Sequence, residues 1–130
     1  MPRMSVSLNV DEAVGVLKDA FDQIPLKLVA HINGQANAAK LGIAVTADQI
    51  LEVFRPDLAA RVWQAHRPAG IDIPLRFHVY EDDGRTWIRF RTPSEVFARH
   101  RAPALDRLAQ ELDPLFARAL AALNPYRESL

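Results

Sequence analysis

Leu75-Arg76-Phe77-His78-Val79-Tyr80-Glu81-Asp82-Asp83-Gly84-Arg85-Thr86-Trp87-Ile88-Arg89-Phe90-Arg91-Thr92 is the stretch on which the fold turns. Two alternating runs flank Asp83-Gly84, and an Asp-Gly pair between such runs signals a two-residue hairpin turn. Counting outward from the turn sets Asp82 against Arg85, Tyr80 against Trp87, Val79 against Ile88, His78 against Arg89, Phe77 against Phe90 and Arg76 against Arg91. Side chains alternate between the faces of a strand. That register therefore collects Phe77, Val79, Ile88 and Phe90 on one face, as a contribution to a core. The other face holds Arg76, His78, Tyr80, Trp87, Arg89 and Arg91. A one-residue slip would mix the two sets, which makes the register self-consistent.

Upstream, Arg55-Pro56-Asp57 opens a helix, with Pro56 in the first turn, where its missing N–H costs nothing. Leu58, Val62 and Ala65 give that helix an apolar side, and Arg67-Pro68-Ala69-Gly70 stops it. Ile50 to Phe54 reads as a short strand, and Gln35 to Leu41 as a short helix closed by Gly42. Leu26, Leu28, Ala30 and Ile32 alternate as a further strand, with Lys27 and His31 on its non-core side. Ala13, Val14, Leu17, Ala20, Phe21 and Ile24 fall at helical spacing behind an Asn9/Glu12 capping box, and Pro25 ends that helix. Met4, Val6, Leu8 and Val10 read as the first strand.

Downstream, Thr92-Pro93-Ser94-Glu95 combines an N-cap, a first-turn proline and a capping-box glutamate. This short helix ends near His100. Pro103 then starts the longest one, with the stripe Leu105, Leu108, Leu112, Leu115, Ala119 and Leu123. Pro114 lies inside the stripe and is expected to kink or split it. Asn124 to Leu130 reads as a frayed tail. The elements add up to a two-layer α+β fold: an antiparallel-dominated sheet of about five strands with helices packed on one face.

The chain has 130 residues, which suits a single domain spanning 1–130, and it shows no internal repeat or linker. Half of it is apolar (49%) and a quarter charged (25%), enough for a packed interior under an ordinary polar surface. Sixteen basic side chains balance sixteen acidic ones, so the basic excess of a nucleic-acid surface is missing. There is no cysteine, hence no disulfide framework and no thiolate chemistry. No apolar run reaches the roughly 20 residues of a membrane span. Nor does Met1-Pro2-Arg3-Met4-Ser5 lead into the apolar stretch of a secretory signal. From these features the expectation is a soluble, single-domain, cytoplasmic protein, with no nucleic acid or membrane as partner.

Thirteen of the sixteen basic residues are arginine. A GC-rich genome accounts for such a bias, and so does a need for the planar fork that grips carboxylate or phosphate bidentately. The face carrying Arg76, His78, Tyr80, Trp87, Arg89 and Arg91 is costly to bury without partners. Three readings fit it: a wet sheet surface, a homodimer interface anchored by Trp87, or a site where the arginines clamp a small anion against the aromatic rings. Arg55, at a helix N-terminus, is a second place for an anion. His31, His66, His78 and His100 show no metal-ligand spacing, so neither a metal nor another cofactor is expected; only His31 and His78, on non-core sides of strands, invite convergence. No G-x-S-x-G elbow or glycine-rich phosphate loop occurs. The Asp11-Glu12 and Glu81-Asp82-Asp83 carboxylates suit a helix start and a turn.

Pro56-Asp57-Leu58-Ala59-Ala60, then Ile73-Pro74, then Val79-Tyr80-Glu81-Asp82 and Pro93-Ser94-Glu95 follow one another in an order that resembles the bacterial and archaeal family called domain of unknown function 302. The resemblance covers nearly the whole chain. It implies a small α/β domain, often dimeric, with no established activity to carry over. Members of that family often have Cys-Asn before the helix proline and another cysteine near the strand start. Here Phe54-Arg55 and Leu75 stand in those places, so a thiol role implied for relatives has no counterpart. The expectation is a homodimeric binding or interaction module for a small anionic ligand. The alternative is an enzyme acting on an anionic metabolite, with His78 as general acid or base.

Overall fold

The computed structural model describes residues 3–129. Met1, Pro2 and Leu130, named above at the chain ends, lie outside the described residues. The fold is α+β. Five strands form one antiparallel sheet: β1 (Arg3–Val6), β2 (Lys27–Asn33), β3 (Asp48–Phe54), β4 (Leu75–Asp82) and β5 (Arg85–Phe90), in the order β1-β5-β4-β3-β2. Its helices are α1 (Val10–Gln23), α2 (Gly34–Ala39), α3 (Pro56–Ala65), α4 (Pro93–Phe97) and α5 (Pro103–Ala121).

The hairpin has the register counted from its turn, from Asp82↔Arg85 to Phe77↔Phe90. Arg91 follows the last ladder pair, so its expected partnership with Arg76 lies just beyond the strand. Asp83 (φ 53°) and Gly84 (φ 73°) both take positive φ, as a type I′ turn requires. Phe77 and Phe90 stack across the ladder at 4.3 Å, and Phe116 of α5 lies 5.5 Å from Phe90. Phe21 of α1 meets Phe77 at 5.3 Å. The core thus lies between the inner face of the sheet and α1 with α5, whose apolar positions Val10, Val14, Leu17, Leu105, Leu108 and Leu112 are all buried.

Five expectations need correction. The first strand stops at Val6 rather than running to Val10, because the Asn9–Glu12 capping box already turns the chain into α1. β3 starts two residues earlier than expected, at Asp48, which adds a carboxylate to the sheet. In β2, a bulge between Leu28 and Ala30 interrupts the alternation, as an inserted residue must. Leu28 pairs with the buried Val53, whereas Ala30 and Ile32 pair with Glu52 and Ile50 on the outer face. His31 consequently sits on the helix side, opposite Leu51, and its Nε2–H donates to Gln49 Oε1 at 2.6 Å. It cannot meet His78. α5 remains one helix through Pro114, whose side chain is exposed. The tail is not frayed: Arg127 bridges Val6, the Ser7 N–H donates to Tyr126 O (2.8 Å), and the Glu128 N–H donates to Ser5 O (2.9 Å).

Candidate functional site

Directly opposed residues in an antiparallel ladder share a face, so the registers of the sheet fix the outer surface row by row. One row runs Arg3, Arg89, His78, Ile50, Ile32 across all five strands. A second runs Ser5, Trp87, Tyr80, Asp48, and a third sets Arg76 beside Glu52 and Ala30. Beside the third row, the chain entering β4 and the short helix α4 rise as a rim. Between rim and sheet lies an open groove of about 740 Å³. Ile50, Glu52, Arg76, His78, Arg89 and Arg91 line its floor, and Ile71, Asp72, Ile73, Val96 and Arg99 its walls.

The cations of this groove differ in how they are held. The Arg76 Nε–H donates to Glu52 Oε2 at 3.4 Å across adjacent strands. The His78 Nε2–H donates to Asp48 Oδ2 at 2.9 Å while its ring stacks on Tyr80, centroids 4.4 Å apart. Arg99 and His100 together grip Asp72, with His100 Nε2 at 2.6 Å from Oδ2. Burial by itself would raise the Asp72 carboxyl; the hydrogen bonds from His100 and Arg99 outweigh it and hold the group below the ordinary carboxylate range. Arg89 is different. Its Nε is shut away from water with no partner among the described residues. Neither Arg89 nor Arg91 belongs to any ion pair among those residues.

Four of the seven residues singled out from the sequence therefore meet in one groove: Arg76, His78, Arg89 and Arg91. Tyr80 and Trp87 lie in the neighbouring row and are already engaged. Arg3 covers the Trp87 ring at 3.7 Å, leaving Trp87 only 6% exposed, and the Trp87 Nε1–H donates to Asp82 O. Arg3 Nη1 also donates to the Tyr80 hydroxyl at 3.3 Å. Arg55 lies elsewhere. Its fork closes on both oxygens of Asp57 at 2.8 Å, and Nη1 donates to Pro25 O. The Asp57 carboxyl, hydrogen-bonded by Arg55, is drawn down to about 2.

Reasoning from sequence missed Asp48, Glu52 and Asp72, and reads Arg99, with Arg101 and Arg107, as a solvated basic patch, whereas Arg99 lines the groove. Asp48 and Glu52 belong to a strand whose pairing with the hairpin carries no local signal. Asp72 sits in a connection between Gly70 and Pro74 with nothing in its neighbours to flag it. Among the described residues no three His, Asp or Glu side chains come together as a metal site, and no helix is long and apolar enough to cross a membrane.

No curated protein matches the chain. Among solved structures it is similar to an uncharacterized conserved DUF302 protein from Bacillus stearothermophilus, at 25% identity and a TM-score of 0.81, with 97% of each chain covered. Residues 3–123 match the family described as domain of unknown function DUF302, a span that takes in every strand, every helix and the whole groove. On that match the chain belongs to the DUF302 family.

Proposed function

We propose that this chain, one domain from end to end, is a binding module for a small organic anion held in the outer-face groove. The observation that carries the reading is the Arg89 Nε–H, sequestered without an acceptor in a residue that lines the groove. A buried donor left unpaired is unfavourable by roughly 1–3 kcal/mol. Turning the side chain so that a carboxylate or phosphate oxygen in the groove accepts from the guanidinium removes that cost and gains a charge-assisted bond. Arg91, two residues along and lining the same groove, offers a second fork outside any ion pair among the described residues. The groove's volume is that of an ordinary small-molecule site.

Nε–Hε NMR signals of the arginines, followed during titration with acetate, succinate and inorganic phosphate, test this. Saturable shifts confined to Arg89 and Arg91 are expected. Uniform small drifts across all arginines would sink the reading.

The Asp48–His78 pair favours a second reading, an enzyme in which an oriented imidazole works on the bound anion. On that reading His78→Gln keeps anion affinity and abolishes turnover of whatever substrate is found. Homodimerisation and a cytoplasmic setting belong to the proposal too. Leu41, Ile43 and Val45, all strongly exposed after α2, supply an apolar surface for a second copy. Light scattering at twice 14.6 kDa is the expected outcome, and a monomeric mass refutes it.

A further inference from the structure

The outer face changes character from strand to strand. At β5 it presents Arg89, with Arg91 just past the strand, neither in an ion pair among the described residues; the row of Arg89 continues through His78 of β4 to Ile50 of β3 and Ile32 of β2, which oppose each other directly. Side chains so opposed touch, so the two isoleucines form one aliphatic strip leading from the groove to the sheet edge. Ile32 is 40% exposed at that edge. The rim adds Ile73 and Val96 to the groove that Ile50 lines, and Ile71, 85% exposed, lines the same groove. Among the described residues it is the most exposed large apolar side chain, and it faces a cavity otherwise rich in guanidinium groups. Charged head-room at one end and an uncovered aliphatic track at the other match an amphiphile.

We infer, on the anion-binding reading above, that the ligand is a linear aliphatic carboxylate, its head on Arg89 and Arg91 and its chain laid across the strands over Ile50 towards Ile32, under Ile71. Three strand spacings separate β5 from β2, about 14 Å. A medium-length acyl chain covers that distance. The track is open at the β2 end, so longer chains protrude rather than clash. His78 stands between head and tail in this row, its Nε2–H already given to Asp48 and its ring stacked on Tyr80, so the chain passes over an imidazole whose Nε2–H is engaged.

Calorimetric titration of the full chain with acetate, butanoate, hexanoate, octanoate and decanoate, each below its micellar concentration, tests the inference. Affinity is expected to rise along the series, by up to about fourfold per methylene, the limit for full burial. Ile50→Thr and Ile71→Ser, one a strand-compatible change and the other on an exposed side chain, should flatten that rise. Arg89→Met should weaken every member by a similar factor. Equal affinity for butanoate and decanoate overturns the inference and leaves anion binding standing. So does a length dependence that both isoleucine variants leave unchanged. Failure of every acid to bind overturns the anion-binding reading and this inference together.

Discussion

Arg89 is in a poor position for stability and a good one for recognition. Its Nε–H has given up water without gaining an acceptor, so Arg89→Met, which keeps the stem and removes the donor, is expected to stabilise the unliganded protein by about 1 kcal/mol. The same change should weaken anion binding. Urea unfolding with and without phosphate reads both effects, and a destabilised Arg89→Met would show that the guanidinium is satisfied in solution. Asp72 makes the opposite kind of contribution. Its carboxyl titrates below the ordinary value in the folded chain, so its stabilisation is complete above the unfolded pKa of about 3.9 and disappears as pH falls through the lower, folded one. Asp72→Asn should therefore lose less stability between pH 5 and pH 3 than the parent protein does, measured by thermal unfolding at each pH. A slope identical to the parent's would assign the acid limb to other carboxylates. Trp87 is a residue at which chemical type misleads. An exposed tryptophan beside arginines suits an interface, but Arg3, some eighty positions away in sequence, closes over its ring.

Elements differ in how openly they announce themselves. The β4–β5 hairpin is readable because two independent signals agree, the Asp-Gly turn and the separation of apolar from polar faces. Its turn also yields a clean test: Gly84 has φ of +73° and open space where a side chain would go. Gly84→Ala should cost roughly 1 kcal/mol from backbone strain alone, read by chemical denaturation. Strand β2 is not readable in the same way. A bulge at Val29 exchanges the faces while the composition still looks regularly alternating, so the side on which His31 lies follows only from pairing with β3. The groove was half visible for the same reason. Residues on the hairpin could be sorted by counting, but Asp48 and Glu52 reach the site through a ladder between strands more than twenty residues apart. α5 shows a propensity overridden by packing. Leu105, Leu108, Leu112, Phe116 and Ala119 are buried on both sides of Pro114, and that continuous stripe holds one helix where local rules predict a break. Pro114→Ala should restore a backbone donor at an exposed position and raise the melting temperature, by an amount corresponding to about 1–3 kcal/mol. An unchanged or lower value would mean that the helix needs the bend.

For the molecule as a whole, the two sheet edges are treated differently. At β2 the bulge and Lys27 interrupt the row of free backbone groups, a common way to discourage further strand addition. At β1 the chain's own tail performs that task, through Val6↔Arg127, Ser7 to Tyr126 and Ser5 to Glu128, whose side chain also accepts from the Ser5 hydroxyl at 2.9 Å. Removing residues 124–130 should expose that edge and produce association that grows with concentration, visible in light scattering, while the helix content by circular dichroism changes little. An unassociated truncated chain would show that β1 is too short to recruit a partner. The placement of β1 also sets the order in which the chain can assemble. The β2–β3, β3–β4 and β4–β5 ladders each join strands consecutive in the chain, whereas Met4 waits for Ile88 and Val6 for Arg127. During synthesis β1 thus emerges before the other four strands and is the last of the five to find its place. Closing so long a loop is the slow step expected for non-local pairing. A newly made chain carries β1 unpaired until β5, some eighty residues further on, has left the ribosome.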